Sequence, residues 1–383
     1  MRSFASAHDI HVPVGRKLWL VSWPLVILLC ITVAVGIAML YSAGSGKWDP
    51  WAGRQLMRFG VCLAVALAVA VTDIRFWLRY AYWIYFGAVI LLAGVEAAGS
   101  IGMGAQRWIN LGIFQLQPSE LMKIALILGL ARYFNGRSAE EVARPVYLIV
   151  PTAMILAPAA LVMKQPDLGT AVMLAISGAA IFFVAGVRLW QFGVVIGAAL
   201  AAAPFAWHFL RGYQKQRILT FLDPESDPLG TGYHIIQSKI ALGSGGIFGK
   251  GFLQGTQSHL NFLPEKQTDF IFTMLAEEFG LIGSLALIGL FVLIVIYGIA
   301  ISLRIQNQFG RLLAFGVSAT FFFYLFINVS MVMGLIPVVG VPLPLVSHGG
   351  TAMLAVMIGF GLVMSANIHR DMRFGRQGAY DDS

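Results

Sequence analysis

At 383 residues, 58% hydrophobic and only 11% charged, with a mean hydropathy of +0.79, the chain falls outside the composition of soluble globular domains and reads as a polytopic membrane protein. Its net charge of +8 is scattered through connecting loops and forms no stripe among aromatics, which excludes a nucleic-acid surface and leaves topology signals and ligand contacts. Cys30 and Cys62 both lie in apolar runs where a thiol packs as a small hydrophobe, so no disulfide framework is expected.

Runs long enough to span about 30 Å of hydrocarbon are expected as helices at 18–42, 51–72, 77–98, 118–135, 145–163, 168–186, 190–210, 270–303, 310–335 and 349–368. The fold class is therefore all-α polytopic, ten transmembrane helices in a single integral membrane domain over 1–383. An even count puts both termini on one side. Placing them inside gathers Arg2, Arg16, Lys17, Arg75, Arg79, Arg132, Arg137, Arg144, Arg188, Arg304, Arg311, Arg370, Arg373 and Arg376 on the inner face. The short outer loops then hold only Lys47, Arg54, Arg58, Arg107 and Lys164, so the positive-inside rule assigns both termini to the cytoplasm. The first run is too long for a signal-peptide core and should remain as an anchor.

The outer side is the unusual one. Gly102 to Gln117 mixes Trp, Phe and Arg and ends at Pro118, a favoured first helical residue, which suggests an interfacial hairpin or re-entrant piece. Within the following helix Glu120 and Lys123 stand at i and i+3, close enough to pair. They form either a buried ion pair locking two helices or the lining of a polar cavity continued outward by Gln117 and Ser119. Asp167 opens the sixth run as a cap or as part of an outer site. A segment of about 60 residues, 211–269, then forms a long extracytoplasmic loop between helices seven and eight, and connections of that length are usually functional or disordered. Its Asp-Pro turns and apolar residues such as Ile235 and Ile240 suggest that it folds back on the membrane surface. Its glycine run, Gly243 to Gly251, fails the phosphate-loop pattern at Ser244 and Gly251. It reads as flexible loop or as backbone that approaches a substrate closely.

Leu263 to Glu278 (LPEKQTDFIFTMLAEE) is where a polar loop becomes a long apolar helix, and Asp269 sits at the junction, able to meet both water and lipid. A helix-terminal acid explains it structurally; a reactive carboxylate at the membrane boundary explains it functionally. At roughly 100° per residue, Glu277 falls within about 80° of the Asp269 face and Glu278 points the other way, so the two should serve different contacts. Gly340 to Gly350 (GVPLPLVSHGG), with Ser347 as a candidate cavity residue, cannot be regular helix and must be buried in protein or line a cavity.

Together, QRWINLGIFQLQPSELMKIA, KQPDLGTAVM, QKQRILTFLDPESDPLGTGYHIIQSKIALGSGGIFGKG, LPEKQTDFIFTMLAEEFGLIG and GVPLPLVSHGG resemble, in order, the SEDS family of bacterial shape, elongation, division and sporulation proteins. KQPDLGTA and the QKQRILTFLDP run place the chain nearer the elongation members than the division-specific paralogues. Gln267 stands where the family usually has His, and His348 where it usually has Tyr. The resemblance implies a peptidoglycan glycosyltransferase that polymerises lipid II at the outer face of the cytoplasmic membrane. It also implies a class B penicillin-binding protein as cross-linking partner, alongside other elongation-complex membrane proteins and membrane lipids. Asp269 matches the family's catalysis-associated aspartate, and Glu120 and Lys123 match its cavity pair.

Transfer from a polyprenyl pyrophosphate needs a base for the acceptor hydroxyl, which Asp269 would supply, and positive charge at the leaving pyrophosphate. Arg107, Arg211, Lys215 and Arg217 are candidates for that charge, alone or with a divalent cation, Mg or Mn. Asp167, Glu277 and Ser347 complete the candidate substrate or cavity residues. The alternative from another class, a flippase for the lipid-linked precursor, would favour a midplane site in repeated halves, and no repeat is visible.

Overall fold

The computed structural model describes residues 13–98, 100–102, 105–110, 115–210, 212–226, 230–259 and 265–372. In chain order these form α1 (Val14–Trp19), α2 (Trp23–Ala43), α3 (Ala52–Val71) and α4 (Ile74–Ala98), then β1 (Ser100–Gly102), β2 (Ala105–Asn110) and β3 (Gln115–Leu116). There follow α5 (Pro118–Phe134), α6 (Ala139–Val142), α7 (Ile149–Lys164), α8 (Leu168–Ala185) and α9 (Leu189–Phe209). The chain continues through α10 (Gly212–Leu222), α11 (Thr231–Ser244), α12 (Thr256–His259), α13 (Ile271–Arg304), α14 (Gln308–Val332) and α15 (Gly350–Ile368).

Eight described helices are long and apolar enough to cross a bilayer: α2, α3, α4, α7 with its preceding turn, α8, α13, α14 and α15. The chain is thus an all-α polytopic membrane protein. Of the other two expected spans, α5 has 17 residues and carries Glu120 and Lys123, and α9 has its apolar stretch at Leu189–Phe205. Of the eight, α14 and α15 are the most enclosed, and α5 is buried along nearly its whole length, so these three form the middle of the bundle. α15 packs along α3, α13 along α14, and α4 along α5. Apolar side chains such as Ile27, Ile90, Leu200 and Leu293 face outward, as expected where lipid is the solvent.

Two departures from the expected elements shape the outer end. β1, β2 and β3 pair as a small antiparallel sheet in that order, so the expected hairpin gains a third, two-residue strand. The long outer connection also has structure of its own in α10, α11 and α12; α11 packs on α13, and its Ser238 Oγ donates to Val332 O (2.7 Å).

α13 is broken at Gly280, whose φ of +65° lies in the left-handed region. A break in a helix frees backbone groups that a membrane cannot satisfy. The glycine run fills it: Leu281 N donates to Gly246 O (2.9 Å) and Ile282 N to Ile247 O (3.2 Å). In the other direction, Lys250 N donates to Glu277 O (3.0 Å) and Gly251 N to Glu278 O (2.9 Å). A Cβ at Gly249 would come within 2.1 Å of Glu278 O. What this glycine backbone approaches closely is therefore α13.

Candidate active site

Asp269 ends the loop that leads into α13, and three other segments hold that loop in place. Asn328, inside α14, donates through Nδ2 both to Asp269 O (2.9 Å) and to Val341 O (2.8 Å). Ser347 Oγ donates to Thr268 O (2.6 Å) and accepts from Leu343 N (2.8 Å), so this residue knits the 340–349 turn to the residue just before the catalytic candidate. His348 N donates to Gln267 O (2.8 Å), which joins the two positions where the sequence departs from SEDS habit. Gln55 and Arg58 of α3 complete the support: Gln55 Nε2 reaches Ser347 O (3.0 Å) and Arg58 Nη1 donates to His348 Nε2 (3.1 Å). As expected, the 340–349 turn is buried in protein, with Leu343, Leu345 and Val346 almost fully enclosed.

The carboxylate itself is treated differently from its backbone. It is half-buried, with Oδ2 3.4 Å from where a Cβ at Gly340 would lie, and among the described residues none donates a hydrogen bond to it. Burial, then the negative charges of Glu265 and Asp167, push its pKa up to about 6, against the cations Arg217 and Arg107. His348 is shifted the other way, down to about 4, by burial and then by Arg58 and Arg54. It is therefore neutral at pH 7 and accepts from Arg58 through Nε2.

The remaining sequence candidates separate into groups. Asp167 caps α8 by accepting from Thr170 N (3.1 Å), with Gln117 Nε2 at 3.4 Å and Arg107 Nη1 at 3.9 Å. Arg107 is anchored by donating to the carbonyls of Gln165 (2.9 Å) and Pro166. Arg217 acts on Asp269 through its charge, Lys215 lies 6.0 Å from the centre of the Trp207 ring, and Arg211 falls outside the described residues.

Glu120 and Lys123 pair at 2.6 Å, Tyr324 O–H donates to Glu120 Oε2 (2.5 Å), and the Lys123 ammonium sits 4.3 Å above the Tyr324 ring. The adjoining cavity holds about 10 Å³, about enough for one water. Glu277 turns away toward Lys250 (2.8 Å), Thr256 Oγ1 (3.1 Å) and Gln257 N (2.9 Å), and Glu278 accepts from Ser42 (2.5 Å), so the two acids serve different contacts.

Sequence reasoning did not single out Asn328, Gln55 or Glu265, and it counted Arg58 only as an outer-loop charge, whereas it lies within α3. Asn328 carried the general signal of an amide inside an apolar helix. Among the described residues no three His, Cys, Asp or Glu side chains converge as a metal site. Asp167 accepts from Thr170 and Gln117, and no step is routed through a divalent cation.

Comparison with known proteins identifies the family. The cell cycle protein family of FtsW, RodA and SpoVE matches residues 18–372. Peptidoglycan glycosyltransferase MrdB of Escherichia coli K12 is 45% identical over 91% of this chain and 94% of its own. Probable peptidoglycan glycosyltransferase FtsW of Trichlorobacter lovleyi is 36% identical over 90% and 93%. A chain from a structure describing how a peptidoglycan synthase complex coordinates polymerization and crosslinking superposes with a TM-score of 0.79 at 31% identity, covering 92% of this chain and 98% of that one. The chain belongs to the FtsW/RodA/SpoVE family, the SEDS proteins.

Proposed function

We propose that this chain polymerises lipid II into glycan strands at the outer face of the bacterial cytoplasmic membrane, in the elongation branch of its family. It is a peptidoglycan glycosyltransferase, and its identity to MrdB exceeds that to the FtsW relative. The observation that carries the mechanism is Asp269: a carboxylate at the mouth of an apolar helix, held firmly by its backbone, with a pKa raised to about 6. A base titrating near the working pH combines availability with driving force.

Asp269 removes the proton from the acceptor sugar hydroxyl as its oxygen bonds to the donor's anomeric carbon. The bond from that carbon to the pyrophosphate breaks, and the polyprenyl pyrophosphate departs with the electron pair. Arg107 and Arg217 face that developing charge, and guanidinium groups suit phosphate oxygens. The polyprenyl tails stay among lipid, which accounts for a site at the membrane boundary.

This reading takes α2, α3, α4, α5, α7, α8, α9, α13, α14 and α15 as ten spans of one membrane domain, with 211–269 outside and both termini in the cytoplasm. Impermeant thiol labels should then reach cysteines placed at Ser226 and Gln257 and miss those at Ser138 and Asn307. The assembly is inferred to include a class B penicillin-binding protein, supported by the likeness to a chain of a synthase complex. The deciding experiment incubates purified protein with lipid II, with and without that partner. Glycan polymer is expected, more of it with the partner; its absence in both arms would reject the function.

A further inference from the structure

At the end of the bundle away from Asp269, α4, α5 and α7 leave an open cleft of about 530 Å³, within the range of small-ligand sites. Its walls include Tyr82 and Phe86 of α4, Tyr133 of α5, and Ile149, Val150 and Ala153 of α7. The cleft is fixed by its tyrosines. Tyr85 O–H donates to Met154 O (2.9 Å) and ties α4 to α7, while Tyr133 O–H donates to Tyr147 O (2.6 Å) and ties α5 to the turn before α7. With those two hydroxyls turned to backbone, the Tyr82 hydroxyl is the one polar side-chain group left among the described lining residues.

The inner rim is cationic. The Arg132 guanidinium lies 5.2 Å from the Tyr82 ring and donates to Leu78 O. Arg137 lies 5.2 Å from both the Tyr133 and Tyr147 rings. Arg79 stands one turn before Tyr82 on α4, and Arg144 precedes α7; both are exposed. The facing acids are Glu140 and Glu141. Glu141 is 3.8 Å from Arg137 and accepts from Ser138 N (3.0 Å). Cationic charge therefore remains in excess beside an apolar slot, and basic pockets between helices on the cytoplasmic side suit anionic lipid headgroups.

We propose that this cleft binds one anionic phospholipid of the inner leaflet, its phosphodiester held by Arg132 and Arg137 and an acyl chain lying along the aromatic walls. Stacking on tyrosine rings presets both guanidiniums while leaving N–H donors for phosphate oxygens. A zwitterionic lipid would bring its ammonium against the same cluster and bind less well.

The test uses the full chain, delipidated in neutral detergent, and native mass spectrometry with phosphatidylglycerol or phosphatidylethanolamine of identical acyl chains. The readout does not depend on leaflet assignment or on polymerase activity. One phosphatidylglycerol should be retained in preference. R137Q, which gives up the long ion pair to Glu141 and the contacts with the Tyr133 and Tyr147 rings, should weaken that retention about five-fold, and adding R132Q about five-fold more. A153F places a ring in the cleft from an exposed position and keeps both guanidiniums; it should remove the same lipid. Equal retention of the two lipids, or a preference untouched by R137Q or by A153F, would overturn the proposal, including the case in which a protein helix occupies the cleft.

Discussion

Asp269 and Glu277 lie about two turns apart at the start of α13, and the fold treats them oppositely. Glu277 is fully buried, yet an ammonium, a hydroxyl and a backbone N–H all converge on its carboxylate. Asp269 is less buried and none of the described residues donates to its carboxylate, although its backbone carbonyl and the residue before it are tied to α14 and to the 340–349 turn. A satisfied carboxylate has its charge spent on the fold. One held rigid but left electrostatically unfavourable has its proton affinity raised and available for chemistry.

The sharpest way to break that contrast is D269N. The carboxylate caps nothing, since the N-cap of α13 is Phe270 and no described residue donates to the Asp269 side chain, so a merely structural role predicts little change. Loss of a base predicts a fall in lipid II polymerisation of about 10² to 10⁴, with the backbone ties intact and thermal stability at pH 7 kept or raised. Near-parental product from folded, partner-bound D269N would end the catalytic assignment.

The Glu120–Lys123 pair extends the comparison inward, to a charge that is both buried and paired. E120Q or K123M alone leaves an uncompensated buried charge and should cost about 3–5 kcal/mol, read as a large drop in unfolding temperature. A double change to leucines should recover most of that loss. Recovery of fold without polymerisation would mean that the pair serves the reaction as well as the packing. E277Q comes next: the neutral amide still accepts from Gln257 N but loses the charge-assisted bond to Lys250, for about 1–3 kcal/mol. K250M combined with E277Q should cost less than the sum of the single changes; strict additivity would show that the clasp carries no coupling.

The parts of this contrast that sequence could show are the ones set by composition. A carboxylate at a loop-to-apolar junction, an i, i+3 charge pair in an apolar helix and a proline-glycine turn between helices are all visible as residue types in the wrong solvent. The break at Gly280 was not, because a lone glycine is tolerated inside a helix, 281–303 continues as an unbroken apolar run, and nothing local marks a positive φ. Its partner, the glycine run at 245–251, therefore looked like slack loop when it is a backbone patch for α13. Asn328 was hidden for a related reason: its acceptors come from segments 59 and 13 residues away, and no spacing rule pairs them.

The smallest effect expected separates Asp269 from its neighbour His348 by pH. Asp269 is raised from 3.8 to about 6 in the folded protein. Its contribution to stability is thus full below about 3.8 and is lost as pH rises through about 6. His348 is lowered from 6.5 to about 4, so its contribution is full above about 6.5 and is lost as pH falls through about 4. Between pH 7.5 and 5.5 the two oppose each other, leaving a net change of under about 1 kcal/mol. H348Q keeps an acceptor for Arg58 but removes the histidine term, so its unfolding temperature should rise on acidification. D269N removes the aspartate term, so its unfolding temperature should fall. The two slopes should differ by about 2 kcal/mol over that interval, and parallel slopes would mean that one of these environments has been misjudged. The aspartate term has a second readout: in the parent, the acid limb of kcat/KM should bend near pH 6, and H348Q should leave the bend in place.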